Sequence, residues 1–581
     1  MEKMPEIKLG KNPVEHIREM LDENPMFRTV AYFSMEIGLR ADIPTYAGGL
    51  GILAGDILKS AADLGVPMIG VTLMYRKGYF KQSLDSNGWQ SENPKEWDPA
   101  SKMTLLPDEI ILTLENRKVK VRVWSYEIKG SSGFCVPVYF LDTDFEGNAE
   151  EDRQLTWYLY GGDQKYRLSQ EILLGLGGVR IIRGLGYDNI RKFHLNEGHA
   201  AFLVLEMLRE EGFENFEKIR QRGIFTTHTP VAAGHDYFSY DLVQRVMSIN
   251  IVNQLKKMLS PEGVSMTELG MRYCSYVNAV SRKHGDVSRK MFGKTDIDNV
   301  TNGIHHPTWI SPFIKNVFDR NIPGWTDFPE RLVQAINIPP KEIWEAHQKS
   351  KQSLLDFVRK QTGATMDPEI LTIGFARRAT EYKRATLILS DPQKLQEIAG
   401  GKLQLIFAGK AHPRDNTGKT LIQRIWEKVR DHSSKISVTF IEDYDMDKAS
   451  YLVQGVDLWL NTPRRPREAS GTSGMKCALN GIPNFSILDG WWIEGCVEDV
   501  TGWAIGPAST EEQLVNYDET LDAKDLYEKL KGKVLPTYYE NRDKWINMMI
   551  NSIALNASYF NTHRVVREYC EKAYNLNWRG F

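Results

Sequence analysis

Short apolar runs rich in β-branched residues, each followed by an amphipathic stretch, recur along this chain and predict a parallel α/β architecture. The alternation is clearest in the second half. LTIGFA (371–376) reads as a buried strand, then a polar loop, then a helix from about Lys383. LQLIFAG (403–409) repeats the unit, with the helix TLIQRIWEKV beyond its loop. ISVTFIEDY, DKASYLVQG and VDLWLNTP continue it; after the loop RRPREASGTSG comes a helix from near Met475 and the strand IPNFSILDG. In the first half, RTVAYFSMEIG, KFHLNEGHA and RGIFTTHTP read as strands entering loops, and YAGGLGILAGDILKSAADLG as a glycine-rich loop entering a helix. In such sheets ligands bind beyond the carboxyl ends of the strands, so every one of these loops is a candidate site wall.

Pro, Gly and Trp concentrate around 305–330, in NGIHHPTWISPF and NIPGWTDFPE, and mark a lobe boundary. The expected division is an N-terminal lobe over 1–305, a C-terminal lobe over 306–555, and a terminal helical segment over 556–581. Periodicity leaves open whether that last segment stays with the second lobe or packs back on the first. Two Rossmann-like lobes facing across a cleft form the simplest assembly.

Composition narrows the function classes. At 581 residues the chain exceeds one ordinary domain, and 42% hydrophobic with 25% charged residues is the make-up of a globular protein with a sizeable core. A net charge of −2, with both signs mixed along the chain, argues against a nucleic-acid binder but leaves room for a local phosphate site. Cys135, Cys274, Cys477, Cys496 and Cys570 are scattered and never in CxxC spacing, so reduced thiols, no disulfide framework and no metal site are expected. MEKMPEIKLGKN has no apolar core and is not read as a signal peptide. ILLGLGGVRIIRGLGY carries two arginines and five glycines and reads as buried helix and turn, not a membrane span. A cytoplasmic protein without membrane partners is expected.

Three constellations carry candidate chemistry. In Tyr46-Ala-Gly-Gly-Leu-Gly-Ile-Leu-Ala-Gly, glycines at a helix entrance let backbone N–H groups reach an anion, though a tight turn with close packing asks for the same glycines. Their spacing does not match a dinucleotide fingerprint. Arg377, Arg378, Lys383 and Arg384 follow a strand's carboxyl end and can neutralise phosphate, or form a solvated basic surface. In Glu468-Ala-Ser-Gly-Thr-Ser-Gly-Met-Lys476-Cys-Ala-Leu-Asn480-Gly, a small-residue loop launches a helix with Lys476 near its start. Desolvation and the helix dipole there favour the neutral amine that condenses with an aldehyde; a surface lysine at a helix start is the plainer alternative. Two look-alikes fail: Thr417-Gly-Lys-Thr420 has Pro413 where a Walker loop needs glycine, and Gly471-Thr-Ser-Gly474 is not a GxSxG elbow.

At these residues the chain resembles the α-glucan (glycogen, starch, maltodextrin) phosphorylases. EASGTSGMKCALNG is similar to the family's pyridoxal-phosphate signature EASGTGNMKFxLNG. SMEIG, GGLGILAGDILKSAADLG, MYRKGYFKQ, GWQ, LNEGHAAF, TTHTP, VTNGI, RRATEYKR, FAGKAHP and WINMMINSIA follow in family order, almost end to end. The resemblance implies a GT-B-type α/β fold, two Rossmann-like lobes with parallel sheets facing across a catalytic cleft. It implies reversible phosphorolysis of terminal α-1,4-linked glucose, with retention, giving glucose 1-phosphate. Lys476 would hold pyridoxal phosphate as a Schiff base, with Lys383, Arg377, Tyr444, Thr472 and Gly471 around the cofactor. Arg378, with Lys383, Lys476 and His228, would serve the chemistry, Arg378 binding substrate phosphate together with the backbone at Gly49 and Leu50. Asp163, His199, Asn302, Glu468, Ser470 and Gly471 would line the substrate side. Arg377 stands where the family usually has lysine. Asp163 lies on a gate loop several residues shorter than the family's, with Gln164 in place of asparagine. The partners implied are inorganic phosphate, glucose 1-phosphate and α-1,4-glucan; a homodimer is compatible with the sequence but not required by it.

The chain is shorter than typical members and lacks segments that carry phosphorylation and effector control in animal enzymes, so such control is expected to be absent. No persuasive pair of carboxylates for a retaining hydrolase stands out. The rival readings are a nucleotide-sugar synthase of the same fold and a non-catalytic glucan-binding relative. Tyr46-Ala47 before the glycines, and Lys476 where a synthase carries a ribose-binding carboxylate, weigh against the first. The presence of Lys476, Lys383 and Arg378 weighs against the second.

Overall fold

The apolar runs become the strands of two main sheets. A computed structural model describes residues 27–231, 234–431, 436–507 and 518–576; MEKMPEIKLGKN, where no signal peptide is expected, lies outside them. In chain order β1 (Val30–Ser34) and β2 (Met68–Leu73) are followed by a hairpin of β3 (Lys81–Leu84) and β4 (Gln90–Asn93). A meander of β5 (Thr104–Leu114), β6 (Arg117–Lys129) and β7 (Cys135–Asp142) precedes β8 (Lys192–Asn196) and β9 (Gly223–Thr226). A ribbon of β10 (Tyr237–Phe238) with β11 (Val264–Ser265) comes before β12 (Tyr276–Ala279) and β13 (Asp298–Asn299). The first sheet runs β13-β12-β9-β8-β1-β2-β7-β6-β5, parallel except where β6 joins β7 and β5.

Both faces of its centre are covered, which is why VAYF reads as unbroken apolar sequence. Ala31 and Phe33 pack into one apolar cluster, while Val30 and Tyr32, on the other face, pack into another. The antiparallel end follows a different rule. In β6, Val119, Val121 and Val123 are buried while Lys118, Lys120 and Arg122 alternate outward. Glu115 and Asn116, both with positive φ, close a two-residue turn between β5 and β6. The period-two signal of KVKVRVW carries this hairpin, which the α/β reading passed over.

The second sheet holds β14 (Leu371–Ala376), β15 (Leu403–Ala408), β16 (Ser437–Ile441), β17 (Leu458–Asn461), β18 (Asn484–Ile487) and β19 (Gly502–Ile505). All pairs are parallel, in the order β16-β15-β14-β17-β18-β19. The chain therefore reverses direction across the sheet between β14 and β17, where a crevice opens at the strands' carboxyl ends. In the first sheet the corresponding reversal lies between β1 and β8.

Two local expectations change. After β14 no helix begins at Lys383: single turns occupy Glu381–Lys383 and Leu387–Leu389, and the helix starts at Pro392, capped by Asp391. Arg384, at φ +47°, breaks the first turn. The helix expected from Met475 starts two residues earlier, at Ser473. The Walker look-alike lies in the opening of a helix, Asn416–Val429, and the Lys419 amine is committed to Glu92 at 2.8 Å.

The C-terminal helix Thr562–Tyr569 and the turn Cys570–Tyr574 pack against the helix Gly49–Asp63 and the first sheet. There the Tyr574 hydroxyl lies 2.7 Å from His194 Nδ1, and Tyr569 reaches Thr226 and Asn278. The Asp63 carboxylate accepts from both His305 (2.8 Å) and His563 (3.2 Å), pinning this helix to the lobe junction. Although no metal site was expected, these three residues are the one group among those described with metal-ligand spacing. Among the described residues no helix is long and apolar enough to cross a membrane.

Candidate active site

β14 delivers Arg377 and Arg378 to the crevice, and β17 delivers Asn461 and the loop to Glu468. Arg377 grips the Glu468 carboxylate with both terminal nitrogens, at 2.6 and 3.0 Å, and also donates to Asn461 Oδ1. Lys383 donates to the same carboxylate at 2.5 Å. Burial alone would raise the Glu468 carboxyl, but these two cations overcome it and bring it down to about 2. Gly471 closes the loop over this group at φ +78°, where a Cβ would stand 3.2 Å from Glu468 Oε1 and 3.4 Å from Arg377.

Asp489, beyond β18, holds the loop from behind: its oxygens accept from the backbone N–H of Glu468 (2.8 Å) and Gly490 (3.0 Å). Its burial pushes its own carboxyl up to about 7.

Lys476 is buried in the short helix Ser473–Leu479, its amine 3.6 Å from the centre of the Trp309 ring. Burial pulls the amine down to about 8, with Asp56 opposing. Asn480 fixes this helix to the lobe junction, accepting from Ser311 N–H at 2.7 Å and donating to the carbonyls of Trp309 and Lys476. Nearby, the Ser470 hydroxyl is buried without a hydrogen-bond partner, and Thr472 begins the helix without a side-chain cap. Tyr444 is half-buried in the same neighbourhood, its hydroxyl pushed up by burial and by Cys477.

The first sheet faces this group with the helix Gly49–Asp63. Gly49 is exposed, and the N–H groups of Gly49, Leu50 and Gly51 make no hydrogen bond to a described residue. A Cβ on Gly48 would lie 3.1 Å from the Arg378 guanidinium. Arg378 is exposed in the crevice and forms no hydrogen bond or ion pair with a described residue. Beyond β9, His228 donates through Nε2 to Asn196 Oδ1 at 2.7 Å, and its backbone N–H goes to Glu197 at 2.8 Å. Burial holds the His228 ring down at about 3, hence neutral. His199 is held down likewise, 3.4 Å from Asp236, with Nδ1 buried and unpartnered.

Thus Arg377, Lys383, Glu468 and Gly471 meet directly, Ser470, Thr472 and Lys476 continue their loop, and Arg378 meets the glycine loop. His228 and His199 form a second group around Glu197 and Asp236. Two residues stand apart. Asp163 is exposed and caps the helix Gln164–Ile172, accepting from Tyr166 N–H at 2.9 Å. Asn302 is buried, its backbone bonded to Val280 and Arg564. Sequence reasoning gave no role to Glu36, Tyr160, Trp309 or Asp489, although Glu36 lies in SMEIG, Tyr160 in LYGGDQKY, Trp309 in NGIHHPTWISPF and Asp489 in IPNFSILDG.

Comparison with known proteins adds the context for this geometry. The family model described as carbohydrate phosphorylase matches residues 41–121 and 188–502. A maltodextrin phosphorylase of Thermococcus litoralis is 42% identical, over 94% of this chain and 70% of that protein. A glycogen phosphorylase of Mycobacterium tuberculosis is 38% identical over 94% of this chain and 70% of its own length. One of Aquifex aeolicus is 35% identical over 95% and 87%.

Proposed function

The chain belongs to the carbohydrate phosphorylase family, and from that premise we infer that it is an α-glucan phosphorylase. It cleaves terminal α-1,4-linked glucose with inorganic phosphate, reversibly and with retention, giving glucose 1-phosphate. The observation that carries this reading is the anion seat between the sheets: an unpaired Arg378 guanidinium against the open N–H groups at the entrance of a 15-residue helix.

In this reading Arg378 and the N–H groups of Gly49 and Leu50 hold phosphate. Phosphate gives its proton to the departing glucan oxygen as the glycosidic C–O bond breaks. A phosphate oxygen then bonds the same face of the anomeric carbon. Glu468, Ser470 and Gly471 border the glucose, and the neutral His228 offers its carbonyl to a sugar hydroxyl. His199, Asn302 and Asp163 complete the substrate side. A hydrolase reading has less support: the Glu468 carboxylate is held by Arg377 and Lys383, and both Asp489 oxygens accept from backbone N–H groups, so both carboxylates are committed to internal partners.

The residues fit pyridoxal phosphate. Lys476 offers a buried amine with lowered proton affinity, Lys383 and Arg377 supply cations for its phosphate, and the orphaned Ser470 hydroxyl lies beside them. Tyr444, Gly471 and Thr472 border the same space. When bound, the cofactor supplies a phosphate group as proton partner to the substrate phosphate. Five free cysteines suit a reducing, cytoplasmic setting.

Incubation of cofactor-loaded protein with maltodextrin and phosphate should release glucose 1-phosphate. ADP-glucose and UDP-glucose should fail as donors, because Lys476 stands where a synthase needs a ribose-binding carboxylate. Transfer of labelled glucose from either nucleotide sugar to glycogen would overturn the reading.

A further inference from the structure

Glu36 lies just beyond β1 with its side chain fully enclosed, and the chemistry above does not call on it. One carboxylate oxygen accepts from the backbone N–H of Ala47 at 2.6 Å and of Gly48 at 3.1 Å. The other accepts from the Tyr160 hydroxyl at 2.8 Å. The glycine loop is shaped around this group: a Cβ on Gly51 would stand 2.7 Å from Glu36 Oε2.

Tyr160 belongs to the loop just before Asp163 and holds φ at +57°, a left-handed conformation that a bulky residue keeps only when its surroundings impose it. Two contacts do so. One is the Glu36 carboxylate. The other is the Arg167 guanidinium, 4.6 Å from the ring centre and itself paired with Glu171 (3.0 Å) and Asp236 (2.8 Å).

A carboxylate at a helix entrance repels an incoming anion, so this position needs a compensating use. We propose that Glu36 is a positioning residue that staples the glycine loop to the Tyr160 loop, so that the phosphate seat is complete only while both loops are docked. By occupying the Ala47 and Gly48 donors, it leaves those of Gly49 and Leu50 to the phosphate. The proposal rests on the phosphorolysis reading.

The test measures inorganic phosphate and maltodextrin binding separately, by calorimetry on the holoenzyme. Tyr160→Phe keeps the ring and removes the link; phosphate should bind about three- to tenfold more weakly, the share of one hydrogen bond, with glucan affinity within about twofold. Glu36→Gln can turn its amide oxygen to the two backbone donors and its NH₂ to Tyr160, keeping the staple without the charge. Its phosphate affinity should equal or exceed that of the parent protein. Adding Tyr160→Phe to Glu36→Ala should cost nothing beyond the single change.

Unchanged phosphate affinity in Tyr160→Phe, additive losses, weaker phosphate binding in Glu36→Gln, or equal loss of phosphate and glucan would each overturn the staple. If Glu36→Ala does not fold, Tyr160→Phe and Glu36→Gln still decide. Arg378→Ala separates the two levels. If it leaves phosphate binding intact, the phosphorolysis reading fails; if it abolishes binding while Tyr160→Phe does not weaken it, only the staple fails.

Discussion

Arg377 and Arg378 are neighbours in sequence with opposite electrostatic lives. Arg377 is nearly enclosed and spends its charge on Glu468 and Asn461, sharing the carboxylate with Lys383. Arg378 is exposed in the crevice beside Gly48 with no partner among the described residues. The strand alternation of β14 extends just far enough to send one side chain under the Glu468 loop and the other toward the first sheet. An anion meets a guanidinium without an ion pair or hydrogen bond to a described residue on the Arg378 side, with Glu36 acting on it only through space, whereas on the Arg377 side it must compete with a directly bonded carboxylate. On the proposed reading, the difference separates a substrate phosphate at Arg378 from a cofactor phosphate at Arg377.

The largest expected effect lies on the retained side. Lys476→Ala should abolish covalent retention of pyridoxal phosphate after borohydride reduction, read by intact mass, while the protein stays folded. A persisting reduced adduct would move the cofactor site elsewhere.

Next come the two arginines. Arg378→Ala should weaken phosphate use at least about tenfold, the value of a charge-assisted partner of about 1.5–3 kcal/mol, with little change in melting temperature. Arg377→Ala strips a buried carboxylate of a bidentate partner and should destabilise the fold by about 3–5 kcal/mol. Equal effects of the two changes on stability and on phosphate affinity would break the contrast.

A pH series sharpens it. The Lys476 amine falls to about 8 in the folded protein, against 10.5 when unperturbed. Between those values the unfolded chain binds more protons, so stability of the cofactor-free protein rises with pH there, by on the order of 2–3 kcal/mol. Denaturant titrations should show this rise, and Lys476→Met should flatten it. Glu468 gives a slope of the same sign in the acid range. Its folded value of about 2 gives stability that is present above the ordinary carboxylate range and lost as pH falls toward 2.

The smallest effect concerns Asp163. As a helix cap it should tolerate Asn, while Ala costs about 1 kcal/mol. A fall in kcat/KM with Asn as large as with Ala would instead place this carboxylate in contact with substrate.

Local pattern was enough for much of this protein. The apolar runs of β1, β14, β15 and β17 announce buried parallel strands because both faces of such a sheet are covered, and the loops after them carry Glu36, Arg377, Arg378 and Glu468. EASGTSGMK marks its lysine because small residues and a helix start are local features. Other features have no local signature. The turns at Glu381 and Leu387 replaced a helix because Arg384 adopts a left-handed conformation, a choice made by packing against Thr462, Pro463 and Asp522. Glu36, Tyr160 and Trp309 draw their roles from partners 11 to 253 positions away, and no periodicity encodes a partner. Likewise, one RR dipeptide contains a neutralised and a free cation only because the carboxylate that separates them arrives from 91 residues downstream. Sequence determined which groups exist and which strand ends carry them; charge compensation and burial are sums over neighbours in space, and the tertiary structure alone decided those.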